Sequence, residues 1–150
     1  MQVVKDATGR EWPVAITVAG LERVKDGTGF DLCSLIKGEP LQDFYHDLTL
    51  AVRVGYWLCQ PFADAKKISR NDFAEGFSGD SIEALQVAIL DELPRFFPRQ
   101  RGELLSAMIA KFRQELAAAL ETVSAQISSP GVGNLGVSSA SIPANSPTDV

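Results

Sequence analysis

The side chains best equipped for covalent chemistry in this 150-residue chain are Cys33, Cys59 and a single imidazole, His46. A thiol becomes a nucleophile when a base takes its proton and a third group orients that base. His46 stands between Tyr45 and Asp47 on a stretch whose apolar spacing predicts a long helix, and Cys59 follows it by 13 residues. At the helical rise that separation is roughly 20 Å, so Cys59 cannot reach His46. Cys33 lies outside that helix and is the thiol left to partner it, which defines one minor reading, a small cysteine hydrolase using Cys33 and His46. Both cysteines occupy apolar-periodic positions, where thiols usually serve as inert packing. The favoured reading is therefore two core cysteines, a solvated histidine and no catalytic residue.

Metal chemistry needs ligands at short spacing, and no CxxC pair, HExxH helix or DxDxDG loop occurs. The nearest carboxylate groups are Asp91-Glu92 and Asp80 with Glu83. The latter pair has the spacing of a helix start, where carboxylates cap exposed N–H groups and complement the helix dipole. Neither metal nor cofactor is expected. Gly131-Val-Gly-Asn-Leu-Gly136 matches the glycine pattern of dinucleotide-binding turns, but that turn works only between a buried strand and a helix, and neither flanks it. The final Thr148-Asp-Val150 is too short a match to a chain-end ligand to carry a reading.

Composition narrows the function class. With 19 acidic and 14 basic residues the net charge is −5, which argues against a nucleic-acid binder. The cluster Arg95, Arg99 and Arg101 gives at most a local steering patch. The stretch Glu75 to Glu92 carries five carboxylates and no Lys or Arg, a face suited to a basic or polar partner and equally to solubility. An apolar share of 45% supports one compact domain and excludes a wholly disordered chain. Two cysteines make no disulfide framework, so a reducing, cytoplasmic setting is expected. No apolar run approaches the roughly 20 residues that span a bilayer, and the first residues lack the pattern of an export signal. No membrane role is expected.

The elements that must position these residues follow from periodicity. Trp12, Val14 and Ile16 alternate, and with Val3 and Val4 they flank Asp6-Ala-Thr-Gly-Arg10, which predicts a β-hairpin over about residues 2–17 turning at Gly9. Pro13 cannot donate to a ladder and belongs on an edge. Thr17 is set to cap a short helix through Leu21 and Val24 that stops at Gly27, and a short apolar piece from Phe30 to Ile36 ends at Gly38. Pro40 opens the long helix, with Leu41, Phe44, Tyr45, Leu48, Val52, Tyr56 and Cys59 in one stripe, and Pro61 ends it. Ser69 to Asp72 and Asp80 to Glu83 each resemble a capping box. They start a short helix with Phe73 and Phe77, and a longer one burying Ile82, Leu85, Ile89 and Leu93, which should kink or stop at Pro94. After Pro98 a last helix repeats Leu105, Met108, Phe112, Leu116, Leu120, Val123 and Ile127 at spacings of three and four. Over 100–127 it would run roughly 40 Å, more than so small a core can cover. Residues 128–150, rich in Ser, Gly and Pro, read as a flexible, disordered tail. The fold class expected is α+β but mainly α: a hairpin packed on a helical bundle over 1–127, then the tail.

The run Asp6-Ala-Thr-Gly-Arg-Glu-Trp-Pro-Val14, with Leu21-Glu-Arg-Val24 and Gly29-Phe-Asp-Leu32, resembles the start of tail assembly chaperones of long-tailed bacteriophages and prophages. The likeness continues through Asp72-Phe-Ala-Glu-Gly-Phe-Ser-Gly-Asp80 and Leu90-Asp-Glu-Leu-Pro-Arg-Phe-Phe-Pro98. It covers most of residues 2–127 as a pattern and contains no catalytic motif. The resemblance implies a non-enzymatic protein in the cytoplasm of the bacterial host. Such chaperones bind the helical, aggregation-prone tape-measure protein, help recruit tail-tube subunits and leave the finished virion. It transfers no binding residue. From the residues themselves, the partner-binding surface expected is Leu116, Leu120, Val123 and Ile127, anchors at the spacing that helix-in-groove binding uses. Packing of that stripe within the fold or in a homo-oligomer stays open beside it. A structural virion component, such as a connector or tail-completion protein, is the alternative function.

Overall fold

The computed structural model describes residues 1–128 and gives a mainly helical fold with an N-terminal two-stranded antiparallel hairpin, as the periodicity predicts. The expected tail beyond residue 128, with its glycine motif and chain end, lies outside the described residues. The chain divides into two compact units, Met1–Ile109 and the residues from Ala110 onward.

Strands β1 (Gln2–Lys5) and β2 (Glu11–Val14) pair in a register that sets Val4 opposite Trp12 and Val3 opposite Pro13. Period two then does the sorting. Val4, Trp12 and Val14 are buried, while Val3 faces solvent and Pro13 sits where no ladder partner is required of its nitrogen. Gly9, at φ 92°, makes the turn.

Helix α1 (Val18–Thr28) starts as expected, with the Thr17 hydroxyl accepting from Gly20 N–H, but it runs past Gly27 and ends at Gly29, whose φ of 78° is the left-handed cap. Gly27 has another reason to be glycine. A Cβ there would stand 2.2 Å from Cε2 of the Trp57 ring, so its missing side chain lets α1 press on that indole. A 3₁₀ turn (Leu32–Lys37), capped by Asp31, leads to Gly38.

The single long helix expected from Pro40 is two. Helix α2 (Glu39–His46) and helix α3 (Leu48–Ala65) meet at Asp47, whose extended backbone breaks the run and whose carboxylate caps Leu50 N–H. An Asp at the seam competes for helix N–H groups better than it continues a helix, and the continuous apolar stripe concealed that signal. Nor does Pro61 end the element: α3 passes through it to Ala65. Proline leaves the carbonyl four residues back without its helical donor. Arg23 of α1 supplies one, giving Nε to the Trp57 carbonyl at 2.9 Å and Nη2 to that of Leu58 at 3.5 Å.

Helix α4 (Arg70–Glu75) has the expected Ser69 cap on Asp72 N–H. Helix α5 (Asp80–Phe96) does not repeat it: the residue before its first turn is Gly79, without a side-chain acceptor, and Ser81 instead binds back to both Ser78 N–H and C=O. Pro94 neither stops α5 nor falls in its middle, because it sits in the last turn, where little ladder remains to lose. Helix α6 (Arg99–Ser128) follows the Phe97-Pro98 corner, and a Cβ on Gly102 would lie 2.4 Å from the Pro94 carbonyl oxygen.

In the first unit the hairpin lies on α3 and α5, with α1, α2 and α4 packed around α3. Trp12, Phe44, Phe73, Leu85, Ile89, Leu93 and Leu105 are fully buried there, and Ile82 is half-buried. Gly55 lets α3 and α5 cross closely, since a Cβ would meet Leu85 Cδ2 at 2.6 Å.

Candidate functional site

Both thiols sit where burial suppresses the thiolate. Cys59 is fully buried on α3, its Sγ donating to the Pro13 carbonyl at 3.5 Å. Burial pushes its pKa up to about 12, against the weaker opposing pull of Arg23 and Lys66. Cys33, half-buried in the 3₁₀ turn, is likewise raised, first by burial and then by the Asp31 charge. A nucleophilic cysteine needs the opposite shift. His46 is exposed at the end of α2 with its ring edge-on to Tyr45 at 5.9 Å. It lines an open depression of about 720 Å³ with Phe30, Asp43, Asp47 and Leu48, a lining that includes neither cysteine. The structure therefore does not bring Cys33 and His46 together in that depression.

Among the described residues no three His, Cys, Asp or Glu side chains cluster as a ligand set. The carboxylates noted in the sequence have other uses. Buried Glu92 holds the Met1 amino group and Arg95, each at 3.2 Å, and Glu83 accepts from the Tyr45 hydroxyl at 3.4 Å. Arg99 pairs with Glu103 at 3.3 Å, so the basic cluster is partly neutralised in place. Among the described residues no helix is long and apolar enough to cross a membrane.

The motif that carries the resemblance, Asp6 to Arg10, is a buried polar latch. Asp6 Oδ1 accepts from Thr8 N–H, the Thr8 hydroxyl and Arg10 N–H at 2.9, 2.7 and 3.0 Å. Its Oδ2 accepts from Arg10 Nε at 3.0 Å and from the Trp12 indole N–H at 3.1 Å. Burial by itself would raise this carboxyl, but the bonds from Thr8, Trp12 and Arg10 outweigh it and hold the pKa at about 2. The latch reaches α4: Arg10 Nη2 donates to the Asp72 carbonyl at 3.0 Å, and Ala7 N–H to the Gly76 carbonyl at 2.8 Å. A Cβ at Gly76 would come within 2.7 Å of Asp6 Oδ2, so this glycine is where the turn and the helix end touch. Lys66 then lies 4.8 Å over the Trp12 ring and donates to the Glu11 carbonyl at 3.1 Å. Both oxygens of the buried Asp6 carboxylate are taken up by bonds from within the turn and from Trp12, so the latch ties the hairpin to α4 and organises the fold. Aspartate two residues before Thr8 and three before Gly9 is the sequence signal for such a turn.

The residues singled out for partner binding all lie on α6 in the second unit. Leu116 is half-buried, while Leu120, Val123 and Ile127 are 63%, 50% and 76% exposed. They follow one another at four, three and four residues, so on a helix they fall within about 60° of arc. An apolar stripe of that kind in water is what a helical partner covers. Comparison with protein-family models, with curated proteins and with solved structures finds no match to this chain.

Proposed function

We propose that this protein is a tail assembly chaperone of a long-tailed bacteriophage or prophage. It binds the tape-measure protein, assists tail-tube assembly by transient contacts, and uses neither enzymatic chemistry nor a cofactor. The observation that carries the reading is the solvent-exposed stripe Leu120, Val123 and Ile127, continued from Leu116, on the part of α6 from 113 to 128, where every other residue is alanine or polar. The sequence resemblance at Asp6–Val14, Asp72–Asp80 and Leu90–Pro98 supports it independently. A tape-measure protein is a long helix with apolar faces, and a stripe with i, i+4, i+7 anchors fits such a client. The protein acts in the cytoplasm of the bacterial cell and is left out of the finished particle.

The test is co-expression with the long helical protein encoded beside it. The full chain keeps that protein soluble, and Leu120→Glu with Val123→Glu abolishes the effect. Failure of the unaltered chain to raise its solubility refutes the proposal. Stoichiometric recovery of this chain from purified particles also refutes it, in favour of a structural virion component.

A further inference from the structure

The two edges of the hairpin differ. Asp6 N–H donates to the Arg10 carbonyl at 2.8 Å, and the register that pairs Val4 with Trp12 and Gln2 with Val14 continues from that bond. Antiparallel pairing alternates bonded and non-bonded pairs, so Gln2 and Val4 spend their backbone groups inside the hairpin. Val3 and Lys5 on β1, and Pro13 and Glu11 on β2, therefore turn theirs to the outer edges. On β2 that edge is closed. Pro13 has no N–H, its carbonyl accepts from Cys59 Sγ at 3.5 Å, and the Glu11 carbonyl accepts from Lys66 Nζ at 3.1 Å. On β1 it is open: among the described residues no hydrogen bond reaches the outward groups of Val3 or Lys5, and both residues are exposed, Val3 to 59%. Beside Gln2 runs an open groove of about 560 Å³, walled by Asp91 and Arg95 of α5 and by Arg99, Glu103 and Ser106 of α6.

We infer that the outer edge of β1 takes up an extended segment of another polypeptide as a third strand, antiparallel because that pairing is the stronger per residue. A row of unpaired N–H and C=O groups is the template for strand addition, and recesses for alternate side chains make it selective. The groove asks for a polar side chain opposite Gln2, because its walls carry charges of both signs. On the other face of the sheet the exposed Lys5 favours a carboxylate directly opposite, and Val3 a β-branched neighbour. A second copy's β1 fits less well. Two-fold pairing of these edges puts the helices of both copies on one side of the sheet, and β1 lies on α5. The other copy's α5 and α6 would then compete for the space that this copy's α5 and α6 already wall. A lone strand brings no such layer. The α6 stripe plays no part here, so the inference stands or falls apart from the chaperone reading.

Amide NMR of the full chain, titrated with the blocked peptide acetyl-Thr-Glu-Val-Val-Gln-Thr-amide, tests it. Set antiparallel, the peptide's Glu stands opposite Lys5, its second Val opposite Val3 and its Gln opposite Gln2. On binding, the Val3 and Lys5 amides shift and exchange more slowly. Val3→Pro removes one N–H from that edge without touching a bond inside the hairpin, as Pro13 already does opposite it, and weakens binding by about tenfold. Val3→Thr, which keeps the N–H, binds like the unaltered chain. N-methylation of the peptide's second Val gives the same loss with the unaltered chain, so the test does not depend on how Val3→Pro folds. Val3 and Lys5 amides unmoved at millimolar peptide, or binding undiminished by both Val3→Pro and the N-methyl group, overturns the inference. So does sedimentation in which the chain alone dimerises and Val3→Pro abolishes the dimer, since the edge then belongs to a second copy.

Discussion

Replacing Asp6 by Asn tests the account of the latch most directly, because the change keeps the shape and removes the charge. The Asp6 carboxyl is held at about 2 against an ordinary 3.8, and at 4% exposure solvent does little to screen it. A downshift of almost two pKa units corresponds to roughly 2.5 kcal/mol of stability at neutral pH. The folded state binds this proton less readily than the unfolded one. The contribution is therefore complete above about pH 4 and lost as the pH falls toward 2. An asparagine also turns an N–H₂ toward Thr8 and Arg10 or toward Arg10 and Trp12, all donors to the native carboxylate. Urea unfolding of Asp6→Asn at pH 7 should therefore show a loss of about 2–3 kcal/mol. The gap between variant and parent should narrow by most of that amount as the pH drops to about 2. A loss below about 0.5 kcal/mol at pH 7, or one that stays constant with pH, refutes the claim that these hydrogen bonds stabilise the charged carboxylate.

Three further outcomes follow from the packing. Gly27→Ala gains up to about 1 kcal/mol of helix propensity but drives a methyl into the Trp57 ring, so the net result is destabilisation by roughly 1–3 kcal/mol with altered tryptophan fluorescence; a stabilised variant with unchanged emission contradicts the contact. Lys67 ends α3 in the left-handed region at φ 58°, where Ile68 N–H closes on the Ala63 carbonyl at 2.9 Å. Lys67→Gly should raise the unfolding free energy by about 1 kcal/mol, and a lower urea midpoint would be the contrary result. Because both thiols are shifted upward, a thiol-specific reagent at pH 7 should modify Cys33 more slowly than an unfolded-chain thiol and Cys59 only through opening of the fold. Rapid labelling of Cys33 in the native protein would revive nucleophilic chemistry there.

Local chemistry was readable wherever one residue's own side chain decides the backbone. Gly9 with Asp6 and Thr8 announced the hairpin turn, Thr17 and Ser69 announced their caps, and the alternation of Trp12 and Val14 announced the buried strand face. Local preference misleads where a distant partner alters it. Pro61 reads as a helix end until Arg23, 38 residues earlier in sequence, is seen serving the carbonyl that proline strands. Gly27 reads as a stop until Trp57 is seen filling the space where a side chain would be. Asp47 hides inside a continuous apolar stripe, because periodicity records which face is buried and not whether the backbone is unbroken.

The same division governs function. Types and spacing alone determined that reactive groups are few, that the last helix carries an apolar row at Leu116, Leu120, Val123 and Ile127, and that a hairpin precedes a set of helices, since each follows from the period of a strand or helix. Only the tertiary structure decided that the Asp6 carboxylate is buried and bonded to the Trp12 indole, that burial raises both thiols, and that Leu120, Val123 and Ile127 stay open to solvent while Leu105 and Ile109 are buried. Burial, and the balance of desolvation against hydrogen bonding that sets a pKa, depends on atoms brought together from far along the chain.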